Sequence, residues 1–508
     1  MNWKKYLLLM GLMIVLVMSS ELISAVEYGG TLTVGSNKLQ PSLDPHHNMG
    51  FGLFELNIAY NTLISYNQQL EFEPELAVSW EIPDNKTYIF HLRKGVKFHD
   101  GTEFNAEAVK WNIERMISEY SQVRSYFKEV EQVEVIDNWT VKITLQKAFA
   151  PFLDSLAGNG QIVSPQAVEK LGNEGFQKQP VGTGPFKFAS LDPQNGEMIF
   201  ERFTDYWMEG KPYLDQIVIK EIPDGQTRLF SLTVGQVDYI YPVPAGNIKQ
   251  LAADQNIKLL SLLSKSNTID YLTFNCAVEP FDDPRVRQAI GYAIDQEKII
   301  GFLENTEMLY GPLPEHSWGS NPDKPRKDFN PDKAKQLLAE AGYADGLEVT
   351  LKIWSNDPQQ SDLALIVDNM LAKIGIKVKI EVLETATLIQ QLIKGDFQLA
   401  SLHWGGGGSL DPNGNLHILF SSSGQNNWIC NYHNPAVEPY LQQALESTDR
   451  EQRQQLYWQA EEIIINDQPM IWFGQFVSYL AYSAKVHGID PLKPSGYAPV
   501  YHNIWIEQ

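Results

Sequence analysis

The sequence predicts an α/β fold built from more than one domain. Between residues 349 and 402, two kinds of segment alternate. In one kind the residues are apolar or alternate between apolar and polar, and in the other the apolar residues recur at helical spacing. A strand–helix–strand–helix–strand succession of this kind requires parallel strands joined by helical crossovers. The chain has 508 residues, more than one hydrophobic core usually organises, so we expect two or three domains.

The first half of the chain predicts strands with one buried face and a capped helix. Thr31–Val34 is a first strand, which leads into the loop Pro41–Gly52. Apolar residues alternate in Lys86–Leu92 and again in Val141–Leu145, a pattern typical of half-buried strands. Between these two strands, Asn105 precedes a helical pattern and is expected to cap that helix.

The second half predicts the crossovers in more detail. Pro284 and Asn330 each stand at the start of a helix, and Gly342 and Gly375 each stand at the end of one. The unit of strands and helices consists, in chain order, of Val349–Ile353, Asp362–Ile374, Ile376–Val382, Thr387–Lys394 and Phe397–Leu402. Ligands of open α/β sheets bind beyond the carboxyl ends of strands, so a site is expected in the loop His403–Gly414.

Residues 1–25 have the layout of a secretory signal peptide. Lys4 and Lys5 precede the apolar run Tyr6–Met18, which is short for a membrane span, and Ala25 is a small residue at the expected cleavage position. We therefore expect cleavage after Ala25; an uncleaved membrane anchor is the alternative. An exported protein without an anchor would diffuse away unless an outer barrier retained it, so we expect this protein in the periplasm.

The only cysteines are Cys276 and Cys430. Neither lies near the cleavage position, so the mature protein has no cysteine placed to carry a lipid. In an exported chain the two could form a disulfide, but they are far apart in sequence, and two buried thiols fit the sequence equally well.

Charge and motifs exclude several classes of function. The formal net charge is −22, which disfavours binding to nucleic acid or to an anionic membrane. The sequence has no HExxH, CxxC or Walker A motif, and Asp411 stands where a nucleophile elbow needs its last glycine. We expect no catalytic residues, no metal site and no cofactor. A secreted hydrolase or metal-dependent enzyme is the remote alternative, and it would need a set of residues that these motifs do not supply.

Eight motifs, in the same order over more than four hundred residues, resemble those of the family 5 extracellular solute-binding proteins, the peptide, nickel and opine class of ABC importers. They are LDP at Leu43–Pro45, PELAVSWE at Pro74–Glu81, FHLRKGVKFHDGTEFNAEAV at Phe90–Val109, PVGTGPFKF at Pro180–Phe188, the pair Tyr206-Trp207, FDDPRVRQAIGYAID at Phe281–Asp295, AKQLLAEAGY at Ala334–Tyr343, and GDFQLASLHW with LDP within Gly395–Pro412.

The resemblance implies a two-lobed periplasmic binding protein fold of type II. Lobe 1 would combine residues 26–57, 180–267 and 485–508, and it would carry an extra subdomain at 58–179; lobe 2 would span 268–484. The lobes would close on a small solute, and the monomer would then deliver it to the permease subunits of an ABC transporter in the inner membrane. Such a protein is not an enzyme.

The resemblance also implies a set of solute contacts. Members that bind dipeptides anchor the two charged ends of the ligand on an aspartate and an arginine, whose positions here are Gly407 and Trp354. Members that bind nickel chelates use arginines of the subdomain, for which Arg124 is the candidate. The complete set of expected contacts is Asn48, Met49, Gly50, Arg124, Trp354, His403, Trp404, Gly405, Gly406, Gly407, Asp411, Asn427 and Trp428.

The predicted pocket is aromatic and amide-like. Trp354 and Trp404 could stack on a flat or ring-shaped solute, and Asn427 beside Trp428 adds a hydrogen-bonding amide. Packing of two of these three indoles in the core is the alternative. We expect a small peptide or peptide-like solute; an oligosaccharide, an opine or a nickel chelate remain alternatives.

Overall fold

The structure is a computed structural model. It describes residues 26–40, 42–48, 53–67, 69–262, 268–303, 305–355, 358–405, 410–489, 491–493 and 498–507. Over these ranges, strands and helices form two lobes, each around a central sheet, and a third, smaller sheet. The predicted two-lobed α/β fold is confirmed. Among the residues described, no helix has the length and apolarity to cross a membrane.

Lobe 1 is built on a seven-stranded sheet. Across the sheet, the strands are Ile257–Ser261, Tyr479–Ser483, Tyr239–Tyr241, Thr31–Ser36, Gln216–Glu221, Glu197–Arg202 and Phe186–Asp192. Thr31–Ser36 pairs in parallel with both of its neighbours, and the other pairs are antiparallel. The first strand therefore lies at the centre of its lobe, where Leu32 and Val34 are fully buried.

The extra subdomain has a four-stranded antiparallel sheet. Its strands are, in order, Ala77–Asp84, Thr87–Leu92, Thr140–Leu145 and Val130–Asp137. The alternating apolar residues of the two central strands enter one core, as their period predicts. Asn105 caps the helix Ala106–Met116, because its side-chain oxygen accepts a hydrogen bond from the Ala108 amide at 3.0 Å.

The boundaries predicted for the subdomain, 58 and 179, need correction. Its core runs from Leu63 to Ile162. Tyr60 and three side chains of the helix Pro165–Phe176 pack instead in the core of lobe 1. The subdomain is therefore shorter at both ends, because the face on which a helix buries its apolar side chains decides its membership.

Lobe 2 is built on a six-stranded sheet. Across the sheet, the strands are Thr306–Met308, Met470–Phe476, Ile269–Phe274, Leu399–Trp404, Leu347–Trp354 and Ile376–Leu383. Leu347–Trp354 pairs in parallel with its neighbours on both sides, as the predicted crossover unit requires. The remaining pairs are antiparallel, and an apolar core covers each face of the sheet.

The helices begin where the capping residues predict. Asp283 and Asn330 cap helices that have Pro284 and Pro331 at their first positions. The described α-helices are Leu53–Ala59, Ala106–Met116, Arg124–Phe127, Phe152–Asn159, Pro165–Phe176, Gly225–Thr233, Ile248–Ala252, Pro284–Ala293, Gln296–Phe302, Pro331–Glu340, Pro358–Ala372, Thr385–Ile393, His417–Phe420, Glu438–Glu446 and Arg450–Asp467. Short 3-10 helices lie at Pro45–His47, Ala245–Asn247, Pro412–Gly414, Asn427–Ile429 and Tyr501–Asn503.

Three two-stranded ladders complete the described structure. They pair Ile64–Tyr66 with Phe72–Pro74, Val486–His487 with Trp505–Ile506, and Pro491–Lys493 with Ala498–Pro499.

The chain passes between the two lobes at two places. The first lies between Leu262 and Thr268, and the second lies at residues 477–478. The Leu262 amide donates a hydrogen bond to the Ser478 carbonyl at 2.9 Å, so the two crossings touch. The predicted end of lobe 2 at 484 is wrong, because Tyr479–Ser483 pairs in the sheet of lobe 1. Its apolar pattern fits either sheet, and its pairing partners are remote in sequence.

Candidate functional site

The candidate site begins at the carboxyl end of the strand Leu399–Trp404 in lobe 2. The strand runs two residues further than predicted, because Trp404 lies opposite Ile269 of the neighbouring antiparallel strand. His403 and Trp404 are therefore strand residues, and Gly405 is the first residue of the loop. The predictions for Met49, Gly50, Gly406 and Gly407 fall outside the described residues.

Trp404 is held in a defined orientation. Its indole N–H donates a hydrogen bond to the Gly414 carbonyl at 2.9 Å. One side of the ring packs against the apolar core of lobe 2, and the residue as a whole is half-buried. A half-buried indole whose polar edge is already bonded leaves mainly its apolar face for a further contact.

Trp354 lies deeper than Trp404. It is the last residue of Leu347–Trp354, it belongs to the same core, and 9% of its surface is exposed. Its ring centroid lies 4.6 Å from that of His403, which is itself exposed. Trp354 thus supports the end of the sheet, and His403 and Trp404 are more accessible.

The space around Gly405 would also accept a residue with a side chain. It is exposed, and a Cβ added there would meet Thr268 Oγ1 at 3.8 Å, an ordinary contact distance. By contrast, a Cβ on Gly424 would come within 2.3 Å of the His417 carbonyl oxygen. The backbone at Gly405 can therefore be approached closely from outside.

Asp411 is held inside lobe 2. One carboxylate oxygen accepts hydrogen bonds from the Asn413 amide at 2.9 Å, from Arg453 at 2.7 Å and from the Tyr457 hydroxyl at 3.2 Å. Burial alone would lower the pKa of Arg453, but Asp411 and Tyr457 raise it above its ordinary value. The pair of Asp411 and Arg453 anchors the far end of the loop that begins at Gly405, which we call the glycine loop. These contacts give no support to the prediction that Asp411 binds the solute.

Asn427 and Trp428 lie in the short helix Asn427–Ile429. The side-chain amide of Asn427 donates to the carbonyls of Leu419 at 3.2 Å and Tyr432 at 2.9 Å. Trp428 is half-buried against the same core as Trp404. The amide of Asn427 is thus engaged within lobe 2, which leaves the indole of Trp428 as the accessible group of the pair.

A buried ionic cluster fixes the first-lobe loop at Asn48. Arg115, from the subdomain helix Ala106–Met116, donates to the two carboxylate oxygens of Asp44 at 3.0 and 2.5 Å. Burial would raise the pKa of Asp44, but hydrogen bonds from Arg115 and Tyr120 and the charge of Arg115 hold it below its ordinary value. Asp44 also caps the turn Pro45–His47 that ends at Asn48.

His46 completes this cluster as a neutral ring. Burial lowers the pKa of His46 to about 4. Arg115 lies 2.8 Å from Nδ1, and since a guanidinium can only donate, Nδ1 accepts and Nε2 donates to the Gln161 carbonyl at 2.9 Å. Asn48 itself donates to the Ser42 carbonyl at 3.2 Å. Sequence analysis missed Arg115; the LDP motif was the available signal, since its aspartate needs a buried partner.

The subdomain also approaches lobe 2. The Ala150 amide donates to the Leu445 carbonyl at 2.7 Å. Beside this contact lies a cavity of about 130 Å³ whose lining includes Tyr126, Asp154 and His417. Burial lowers the pKa of His417 to about 4, with Glu438 opposing the shift and two subdomain lysines adding to it. Arg124 is exposed at the start of Arg124–Phe127, next to this cavity but not part of its lining.

The arrangement suits the binding of an organic solute. The accessible groups at the end of the lobe 2 sheet are an indole face, an imidazole and glycine backbone. Over the part of the chain that the structure describes, no three His, Cys, Asp or Glu side chains are grouped so that they could hold a metal ion.

Comparisons with known proteins identify relatives of this chain. Residues 71–427 match the family described as bacterial extracellular solute-binding proteins, family 5 Middle. The glutathione-binding protein GsiB of Pectobacterium atrosepticum is 32% identical over 474 residues, which cover 88% of this chain and 89% of GsiB. Heme-binding protein A of Haemophilus influenzae is 33% identical over 482 residues, which cover 87% of this chain and 86% of that protein.

A solved structure shows the same fold. The periplasmic binding protein DppA of Helicobacter pylori, in complex with the peptide STSA, aligns with a TM-score of 0.77 at 29% identity. The alignment covers 95% of this chain and 99% of DppA. The relatives named here thus bind ligands as different as glutathione, heme and a peptide.

Proposed function

This chain belongs to the family 5 bacterial extracellular solute-binding proteins of ABC importers, and we propose that it captures a peptide or peptide-like solute between its two lobes. Delivery of that solute to the permease subunits in the inner membrane completes the proposed role. The observation that supports it best is the pair of touching chain crossings between the lobes, since a hinge of this kind lets two rigid bodies close on a ligand.

We propose a peptide-like solute because, of the relatives named above, GsiB is a glutathione-binding protein and DppA is in complex with the peptide STSA. Recognition would differ from charge-anchored capture of dipeptides. Trp354 occupies the position of the arginine anchor. Lys352 lies two residues earlier, and its ammonium group donates a hydrogen bond to the side-chain oxygen of Gln391 at 2.7 Å. A buried charge without a partner is costly, so the ends of the solute would be bound by other groups.

We assign solute contacts to both lobes. On lobe 2 the assigned residues are His403, Trp404 and Gly405, together with Gly406, Gly407, Trp354 and Trp428. On lobe 1 they are Asn48, Met49 and Gly50, and Asn48 ends the turn that the buried pair of Asp44 and Arg115 anchors. Stacking on an indole and hydrogen bonding to exposed backbone suit a peptide, and they would also suit a sugar or an opine.

The proposal includes export and an absence of turnover. Cleavage after Ala25 would release a periplasmic monomer that carries no lipid. The protein would return its solute chemically unchanged, because a binding protein for import needs affinity and release and has no need of a reactive group.

Native mass spectrometry of the exported, full-length protein tests this function. We expect a co-purified small molecule or, failing that, a rise in melting temperature with one member of a panel of glutathione, heme and short peptides, since ligand binding stabilises the folded state by mass action. Binding of a sugar, an opine or a nickel chelate alone would correct the solute class. Release of a chemically altered product would contradict the transport role.

A further inference from the structure

Cys276 and Cys430 are neighbours in lobe 2. The Cys276 amide donates a hydrogen bond to the Cys430 carbonyl at 2.8 Å. Standard bond lengths then limit the two α carbons to a separation of roughly 5–6.5 Å. This interval falls within the range of about 4.4–6.8 Å over which disulfides bridge two α carbons without backbone movement.

Two further hydrogen bonds join the segments that carry the two cysteines. The Thr273 hydroxyl donates to the Ile429 carbonyl at 2.9 Å. The Asn431 side-chain amide donates to the Asn275 side-chain oxygen at 3.0 Å. Because these two bonds and the one between Cys276 and Cys430 join the same two segments directly, the fold sets the distance between the two α carbons.

Both cysteines are free thiols in the structure. Cys276 is half-buried and Cys430 is buried, and both contact the same apolar core. Their sulfurs lie near different carbonyl oxygens, 3.8 Å from that of Phe274 and 3.4 Å from that of Leu419. Formation of a bond therefore requires both sulfurs to turn away from these carbonyls by rotation about the Cα–Cβ bonds.

We propose that Cys276 and Cys430 form a disulfide in the exported protein. In the exporting compartment, Cys276 loses its proton, and the resulting thiolate attacks the disulfide of an oxidised dithiol protein and displaces one of its sulfurs as thiolate. The thiolate of Cys430 then attacks Cys276 in this mixed disulfide and releases the oxidant as a dithiol. The two thiol protons of the pair end on the two sulfurs of the oxidant, and two electrons pass with them.

The bond would join the central strand of lobe 2 to the turn at Asn427–Ile429. It would leave the hinge free, because both cysteines belong to one lobe. A disulfide that closes a long loop stabilises the folded state, so the melting temperature of lobe 2 should be higher in the oxidised than in the reduced protein by roughly 4–16 °C.

Mass spectrometry of the thiols tests the bond directly. Exported full-length protein is denatured without reductant in the presence of N-ethylmaleimide and then digested. We expect a cross-linked pair of peptides containing Cys276 and Cys430 and no alkylation of either residue. The same protein, reduced and folded, should form the bond when incubated with oxidised glutathione. Full alkylation of both cysteines in both samples would overturn the proposal. The second sample does not depend on export, so it separates this inference from the proposed function.

A matched set of variants gives an independent measurement. Cys276→Ala, Cys430→Ala and the double variant should each lower the melting temperature of the oxidised protein by the same amount, because either change removes the whole bond. Reduced wild-type protein should melt close to the double variant. Additive effects of the two changes, together with no effect of reductant on the wild type, would show two independently packed thiols and overturn the bond.

Discussion

At the scale of single residues, Trp404 offers the sharpest test of the candidate site. Stacking on one indole is worth on the order of 1 kcal/mol beyond the area that it buries, and the lost apolar contact adds to this. Trp404→Ala should therefore weaken binding of the solute identified by mass spectrometry by roughly tenfold to a few hundredfold, at about 1.4 kcal/mol per decade. Isothermal titration calorimetry measures this directly.

Trp458 provides the matched control for that variant. It is also half-buried in lobe 2, and its indole N–H also donates to a backbone carbonyl, that of Ser320 at 3.0 Å. Trp458→Ala should lower the melting temperature without lowering the affinity for the solute. An unchanged affinity in Trp404→Ala, together with a large fall in its melting temperature, would place Trp404 in the core.

Glu55 makes stability depend on pH. Its side chain is 1% exposed, and neither carboxylate oxygen has a hydrogen-bond partner among the described residues. Burial raises the pKa of Glu55 from 4.5 to about 8. The folded protein thus keeps a proton that the unfolded chain loses above pH 4.5, so stability is lost as the pH rises towards 8.

We expect Glu55→Gln to reduce this loss. Between pH 5 and pH 8.5, the change in the free energy of unfolding should be less favourable in the wild type than in the variant by a few kcal/mol, in order of magnitude. Burial also raises the pKa of Glu461, to about 7, and this adds the same dependence of stability on pH to both proteins. Urea titration at the two pH values measures the difference. Equal slopes in the two proteins would show that Glu55 is not buried.

Glu75→Gln is the control for this experiment. Glu75 is also buried, but its carboxylate accepts hydrogen bonds from Asn61 at 2.8 Å and from the Thr62 amide at 3.0 Å. Loss of charge there weakens existing hydrogen bonds, so this variant should lose stability at both pH values.

At the scale of elements, a substitution in the glycine loop should change solute affinity while leaving the stability of the fold nearly unchanged. Gly405→Ala should change the free energy of unfolding by less than about 0.5 kcal/mol, as is usual for exposed positions without a special contact. The added methyl group would stand where we propose that the solute meets the backbone, so calorimetry should show an affinity lower by roughly tenfold.

The comparison for that variant is Gly424→Ala. Its Cβ would collide with backbone oxygens of His417 and Ile418 at 2.3 and 2.5 Å, so it should be strongly destabilised. If Gly405→Ala binds the solute as tightly as the wild type, the backbone at this position does not contact the solute.

Sequence patterns predicted which elements form better than where they end. Asn105 and Asn330 cap helices as expected, because capping is a local hydrogen bond. The strand ending at Trp404 was predicted two residues short, since its last pair depends on Ile269, far away in the chain. The pair of Asp44 and Arg115, 71 positions apart, was missed for the same reason: local patterns do not show which remote charges meet.

At the scale of the whole molecule, the assignment of Tyr479–Ser483 to lobe 1 defines the hinge. The second crossing is the dipeptide at 477–478, and it is hydrogen-bonded to the first through Leu262. The sequence could not show this, because the strand on each side of the dipeptide is apolar and fits either sheet. This hydrogen bond places the hinge at one position between the lobes.

The lobes are proposed to close on the solute. Opening must then break the hydrogen bond between the Ala150 amide of the subdomain and the Leu445 carbonyl of lobe 2. A solute bound to both lobes favours the closed state, because opening would lose half of its contacts. The protein without solute should therefore populate more open shapes than the protein saturated with solute.

Small-angle X-ray scattering of the mature protein, with and without the solute identified by native mass spectrometry, tests this claim most directly. Saturation should be verified by calorimetry on the same samples. We predict a smaller radius of gyration for the saturated protein. Identical scattering curves at verified saturation would contradict capture of the solute by closure of the two lobes.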